Sequence, residues 1–250
     1  KTYVGWCWKA GGSASSNSDG SITSNVSANV TAGFSIVSYT GTAANATVGH
    51  GLGVAPSWMI VKNRADANAW AVYHSANTAA PETDYLVLNT DAATADLNTY
   101  WNDTAPASTV FSIGSITNTN GSSDAMIAYC WSEVEGFSRF GSYTGNGSAD
   151  GPFVYTGFRP SFVMTKRTDS TGEWRMQDTA RVPYNPFTGY LRASTSEAEL
   201  SGGAFDFLSN GFKIRNNDGE INASGGAFIY MAFAENPFQG DDGVTQARAR

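Results

Sequence analysis

The chain has 250 residues, 41% of them hydrophobic, and a net charge of −7. Only 15% are charged, against about 25% in an average soluble protein, and Ser, Thr, Asn and Gly fill the gap. The few basic residues are scattered, which excludes the basic stripe of a nucleic-acid partner, and no apolar run approaches the roughly 20 residues of a membrane-spanning helix.

From the N-terminus, Tyr3-Val-Gly-Trp-Cys-Trp-Lys9 resembles the later segment around Tyr129-Cys130-Trp131. Residues 1–9 are therefore expected to be the closing strand of a preceding unit, in a fragment of a longer polypeptide. Residues 10–32 are Gly/Ser/Asn-rich with few apolar positions, and read as a linker or a long arm over the surface. From Phe34 onward the pattern is β. Phe34–Tyr39, Trp58–Lys62, Trp70–Tyr73, Tyr85–Leu88 and Met126–Trp131 are short, rich in β-branched and aromatic residues, and bounded by Gly, Asn, Asp or Pro.

The chain then repeats itself. Gly33-Phe-Ser-Ile-Val-Ser-Tyr-Thr-Gly41 returns as Gly136-Phe-Ser-Arg-Phe-Gly-Ser-Tyr-Thr-Gly145. Tyr39 and Tyr143, Pro56 and Pro160, Lys62 and Lys166, and Trp70 and Trp174 are each 104 positions apart. The second copy supplies strands at Phe153–Tyr155, Phe162–Met164, Glu173–Met176, Gly189–Arg192, Phe205–Leu208, Phe212–Ile214 and Ala227–Met231. Asn210-Gly211 predicts a hairpin, and Ser194–Leu200, with Ser194 as cap and Glu197 three residues on, predicts a short helical turn. The expected fold is all-β: tandem antiparallel β-sandwich domains, jelly-roll-like, with a linker or arm on the N-terminal side. Units at 33–135 and 136–238 pack end to end, followed by a flexible tail at 239–250.

Candidates for chemistry are few. His50 lies in the glycine-rich turn Gly49-His-Gly-Leu-Gly53 and His74 ends a strand; the second unit has Asp178 where His74 stands. No Gly-x-Ser-x-Gly elbow occurs. Glu133 and Glu235 are equivalent across the repeat, so they do not form a facing pair of the glycosidase kind. No metal-ligand spacing is present, and Asn216-Asn-Asp-Gly219 reads as a turn. Cys7 and Cys130 sit at equivalent positions of different units and are expected to be buried free thiols. Seven Asn-x-Ser/Thr sequons, at Asn25, Asn29, Asn45, Asn102, Asn120, Asn146 and Asn222, are attributed to composition. Aromatics kept by both units are core. Tyr100-Trp101, in a polar loop without a counterpart, is the candidate ligand platform: its rings would stack on sugar, with Asn102 and Asp103 supplying hydrogen bonds.

The segments Trp-Cys-Trp-Lys-Ala-Gly-Gly, Ser-Asn-Ser-Asp-Gly-Ser-Ile-Thr-Ser, Gly33–Gly41 and Gly49–Arg64 together resemble a domain of unknown function found in structural proteins of tailed bacteriophages, often marine ones. The resemblance runs from Tyr3 to about Phe238, and the second unit departs from it where Thr156-Gly-Phe-Arg-Pro160 replaces the His-Gly-Leu-Gly turn. It implies a virion appendage or fibre and carries no catalytic residues. The expectation is a non-enzymatic virion structural protein (fibre, spike or capsid decoration) on the virion surface. It would need no cofactor or metal, form a homo-oligomer with other virion proteins as partners, and have a host-surface glycan as receptor, without nucleic-acid binding or membrane insertion. The alternatives are a carbohydrate-binding module of a secreted protein and, behind it, a tail-spike depolymerase or esterase.

Overall fold

The computed structural model describes residues 3–235. The first unit contains β1 (Ser15–Asn17), β2 (Ser24–Asn29), β3 (Phe34–Thr40), β4 (Ala46–Gly49), β5 (Trp58–Asn63), β6 (Ala71–His74), β7 (Asp84–Val87), β8 (Ala95–Asp96), β9 (Val110–Ile113), the four-residue helix α1 (Thr117–Asn120) and β10 (Ala125–Trp131). The second contains β11 (Ser138–Thr144), β12 (Phe153–Tyr155), β13 (Pro160–Arg167), β14 (Arg175–Asp178), β15 (Phe187–Arg192), β16 (Leu200–Leu208), β17 (Gly211–Ile214), helix α2 (Gly219–Asn222) and β18 (Ala227–Ala234). The all-β, antiparallel expectation holds.

The repeat in sequence is a repeat in topology. The last strand of each unit is central: β10 pairs with β3 and β5, and β18 pairs with β11 and β13. The first sheet runs β1-β2-β3-β10-β5-β6-β7-β8, beside a separate β4-β9 ribbon. In the second unit all eight strands join one sheet, β11-β18-β13-β14-β15-β16-β17-β12, which curls into a nearly closed barrel. The Asn210-Gly211 hairpin forms as expected between β16 and β17, with Leu208 opposite Gly211.

The central strands read as unbroken apolar runs because both their faces are covered. Along β5, Met59 and Val61 face the interior of the first unit, with Val37, Tyr39, Phe111 and Trp101. Trp58 and Ile60, on the opposite face by the two-residue alternation, face the second unit. There they meet Phe162, Met164 and Trp174 from β13 and the segment leading into β14, and Ile229, Met231 and Phe233 from β18. Trp58 and Trp174, both fully buried, stand edge to face with ring centroids 5.8 Å apart. A third core, with Phe187, Phe205, Phe212 and Ile221, fills the second barrel. The units therefore pack face to face through a shared aromatic layer, not end to end as the short Glu133–Ser138 connection suggested. Each large side chain buried there contributes about 1.5–3 kcal/mol.

The N-terminal expectations change. Among the described residues, 3–9 form no strand; they lie extended across the margin of the shared layer. Trp8 sets its ring edge to face against Trp131, Phe162 and Phe233, and Trp6 Nε1 donates to Asp178 Oδ2 at 3.3 Å. Nor are residues 10–32 a free linker. They fold back as the β1–β2 hairpin, and β2 extends the sheet along β3, from Asn25 opposite Ser38 to Asn29 opposite Phe34. Ser194–Leu200 forms no helix: Ser194 Oγ donates to Glu173 and Glu197 binds Arg192 instead. The expected tail at 239–250 lies outside the described residues.

Candidate functional site: an open seam in the second unit

The sequence-predicted platform is not on the surface. Tyr100 is 4% and Trp101 1% exposed. Tyr100 stacks on Tyr85 with ring centroids 3.7 Å apart, and Trp101 Nε1 donates to the Asp84 carbonyl at 3.0 Å. No sugar can reach either ring. Asn102 and Asp103 are drawn into the loop's turn with positive φ, and Asn102 Oδ1 accepts from Asn45. A polar loop around two large aromatics is a cap over a core, and the loop's polarity hid that.

The two histidines have the same structural job. In each, Nδ1 accepts the amide two residues on, Leu52 N–H at 3.2 Å or Ala76 N–H at 2.9 Å. A carbonyl can only accept, so Nε2 donates: to Ala107 O at 3.1 Å from His50, and to Tyr230 O at 3.2 Å from His74. Both nitrogens are used by a neutral ring. Burial pulls the His50 pKa below its ordinary value and takes that of His74 down to about 4.

The remaining candidates also separate. Glu235 pairs with Arg159 at 3.0 Å. Glu133 Oε1 accepts the Phe140 amide at 2.9 Å and lies 3.7 Å from Arg139. Both cysteines are free, and Cys7 is exposed rather than buried, because residues 3–9 are not the core strand they resemble. Burial pushes the Cys130 thiol up to about 12. Among the described residues no group of three His, Cys, Asp or Glu could hold a metal ion.

One pair that the sequence showed only as sequons is Asn120 and Asn222, each fully buried at the end of a short helix. Asn120 Nδ2 donates to Ala44 O and Gly114 O, and its Oδ1 accepts Thr42 N–H. Asn222 Nδ2 donates to Ser148 O and Asn216 O, and its Oδ1 accepts Asn146 N–H. Tyr39 and Tyr143 repeat in the same way, their hydroxyls donating to Thr119 O and Ile221 O. The signal was the repeat itself: both Asn occur at the same distance before the closing strand.

The units differ inside. Ala71 and Tyr73 of β6 are replaced on β14 by Arg175 and Gln177, both buried. Arg175 stacks on Tyr190, 4.4 Å from the ring centroid, and binds Glu220 and Asp218, which pins α2 to the barrel. Burial raises the Tyr143 phenol above its usual range, against the opposing pull of the nearby Arg175 charge and Thr165.

They differ more visibly at the gap between the first two strands of the repeat, β3 and β4 or β11 and β12. In the first unit β2 fills it. β2 pairs with β3, Ile22 just before it bridges Val48 of β4, and Ser24 Oγ donates to Gly49 O at 2.9 Å. In the second unit β11 and β12 flank an open seam. It holds a cavity of about 370 Å³ lined by Arg139, Gly141, Tyr143, Val154, Tyr155 and Tyr230, among others. Tyr230 stands where the first unit has Ala128. Its ring passes over Gly141, where a Cβ would come within 2.8 Å of Oη, and its hydroxyl reaches towards the Tyr155 carbonyl at 3.5 Å. Phe153 and Tyr155 are 45% and 61% exposed beside it.

The sequence profile of a family described as a domain of unknown function (DUF7483) matches residues 1–237. The chain belongs to this family. No curated protein and no solved structure matches the DUF7483 chain.

Proposed function

We propose that this DUF7483 chain is a non-enzymatic structural module of a virion appendage (fibre, spike or capsid decoration). It would be assembled from tandem, jelly-roll-like β-sandwich units and used for architecture and host-surface attachment. The observation that carries the reading is the shared aromatic layer, which makes one rigid body of two repeats; arrays of such units present surfaces. The side chains most suited to chemistry support it too, since His50 and His74 spend both ring nitrogens on backbone groups. The hydroxyl-rich, weakly charged surface suits polar contact with glycans and neighbouring subunits. The resemblance to phage structural proteins supplies the virion.

The test is to purify phage particles from a culture whose phage carries the gene and to label them with antibody against the chain. Gold at a fixed position on each particle, with loss of adsorption on deletion of the gene, is the expected result. Recovery of the chain only in the soluble lysate, or normal adsorption without it, removes the virion or the attachment part respectively.

A further inference from the structure

The seam of the second unit is a strand with its neighbour missing. In β3, Gly33 and Gly41 exchange backbone hydrogen bonds with the β10 side, through Ser132 N–H to Gly33 O and Gly41 N–H to Asp124 O. By antiparallel alternation, the even-numbered residues of β3 turn to the other side, where Ser38 and Ile36 meet Asn25 and Ser27 of β2. In β11 the same odd positions face β18: Ala234 N–H bonds Phe137 O and Gly145 N–H bonds Gly226 O. Phe140, Ser142 and Thr144 therefore turn their amides and carbonyls to the free edge, where no strand pairs with them among the described residues.

We propose that this edge is a strand-acceptor site, filled by an uncharged, hydroxyl-rich extended segment of another polypeptide that takes the place β2 takes in the first unit. The inference goes beyond the virion reading and does not depend on it. Three observations choose the occupant. The seat is already shown occupied once, in the same chain, by a strand of sequence Ser24-Asn-Val-Ser-Ala-Asn29. Among the described residues the second unit has no segment of its own to spare, because only Ser132–Phe137 separate β10 from β11, whereas residues 10–33 precede β3. Charge agrees as well. Among the described residues lining the seam Arg139 is the one cation, and with Glu133 3.7 Å away the pair carries no net charge, as β2 carries none. The incoming residue equivalent to Val26 would enter the cavity beside the Tyr230 hydroxyl.

Glu133 guards the edge. Its carboxylate takes the Phe140 amide, the first group an incoming strand would pair with, as charged side chains protect natural sheet edges. Strand addition has to displace it, which makes Glu133 a brake on the site.

The probe is a labelled peptide of sequence Ser21–Val30 added to the whole chain, read by fluorescence anisotropy. A photo-reactive group on the peptide locates the contact by mass spectrometry. Expected are saturable binding with crosslinks to β11 and β12, roughly tenfold weaker binding in Ser142→Pro, and tighter binding in Glu133→Ala. Proline is tolerated where an edge amide faces solvent, and the crosslink map does not depend on that variant folding. Absence of binding, crosslinks confined to β3 and β4 by exchange with β2, or a glycan that binds the seam where the peptide does not, would overturn the proposal. So would self-association of the chain through β11 that the peptide cannot compete away, since the occupant would then be a second copy.

Discussion

His74 of the first unit donates from Nε2 to the backbone carbonyl of Tyr230, in the central strand of the second, across 3.2 Å. The bond is fully buried and lies beside Trp58, whose ring stands edge to face with the imidazole at 4.9 Å. That bond would survive protonation, but the buried ring also accepts the Ala76 amide at Nδ1, and burial together with that acceptor role favours the neutral form, so the joint between the units is tied to pH. The folded pKa of about 4 lies below the ordinary 6.5, so the unfolded chain binds more protons between these values. Stability is full above pH 6.5 and falls as pH drops towards 4, by about 3 kcal/mol in all. Urea titrations at pH 7, 5.5 and 4.5 should show that loss. In His74→Asn the slope should flatten while stability at pH 7 falls, because the Tyr230 carbonyl and the Ala76 amide lose their partner.

The shared aromatic layer predicts joint unfolding. Trp58→Ala or Trp174→Ala should each cost about 3–5 kcal/mol. Calorimetry of either variant, and of the parent chain, should show a single transition. Two resolved transitions would mean that each unit keeps a self-sufficient core.

Trp101→Ala should behave as a core mutation, lowering stability by about 3–5 kcal/mol. Asp103→Ala, at an exposed position with positive φ, should cost no more than about 1 kcal/mol. Thermal denaturation of the two variants separates a buried cap from a surface platform, which would give the opposite order of importance.

Asn120 and Asn222 are sequons that cannot be used. Expressed through a eukaryotic secretory route, the folded chain should carry no glycan at either, by peptide mapping. Asn222→Asp should destabilise by about 3 kcal/mol or more, since it points a carboxylate at the carbonyls of Ser148 and Asn216.

The two thiols should differ in reactivity. A thiol reagent at pH 8 should titrate one group, Cys7, in the native chain and two in denaturant. Rapid native reaction at Cys130, buried and with its pKa at about 12, would contradict the fold of β10.

Repeat, strands and hairpin were legible in the sequence because periodicity and turn residues are local. The unbroken run Trp58-Met-Ile-Val61 was legible as a strand, yet its meaning was not. Burial on both faces depends on a partner a hundred residues away, and nothing local distinguishes a strand between two cores from one in a single core. The arm was misread for a related reason: Ser24–Asn29 is so poor in apolar residues that only the vacant edge of β3 makes it a strand. Tyr100-Trp101 failed as a site because polar neighbours signal exposure only for themselves. The seam was written in the sequence as a difference between repeats, Gly141 and Tyr230 in place of Val37 and Ala128, and it needed the register of β11 against β18 to be read.

The central claim is that two units built alike differ at one edge, filled in the first and open in the second. Native-state amide exchange by NMR tests it most directly. Ile36 and Ser38, covered by β2, should be protected, whereas Ser142 and Thr144, at the repeat-equivalent edge of β11, should exchange orders of magnitude faster. Equal protection at both edges would contradict the account.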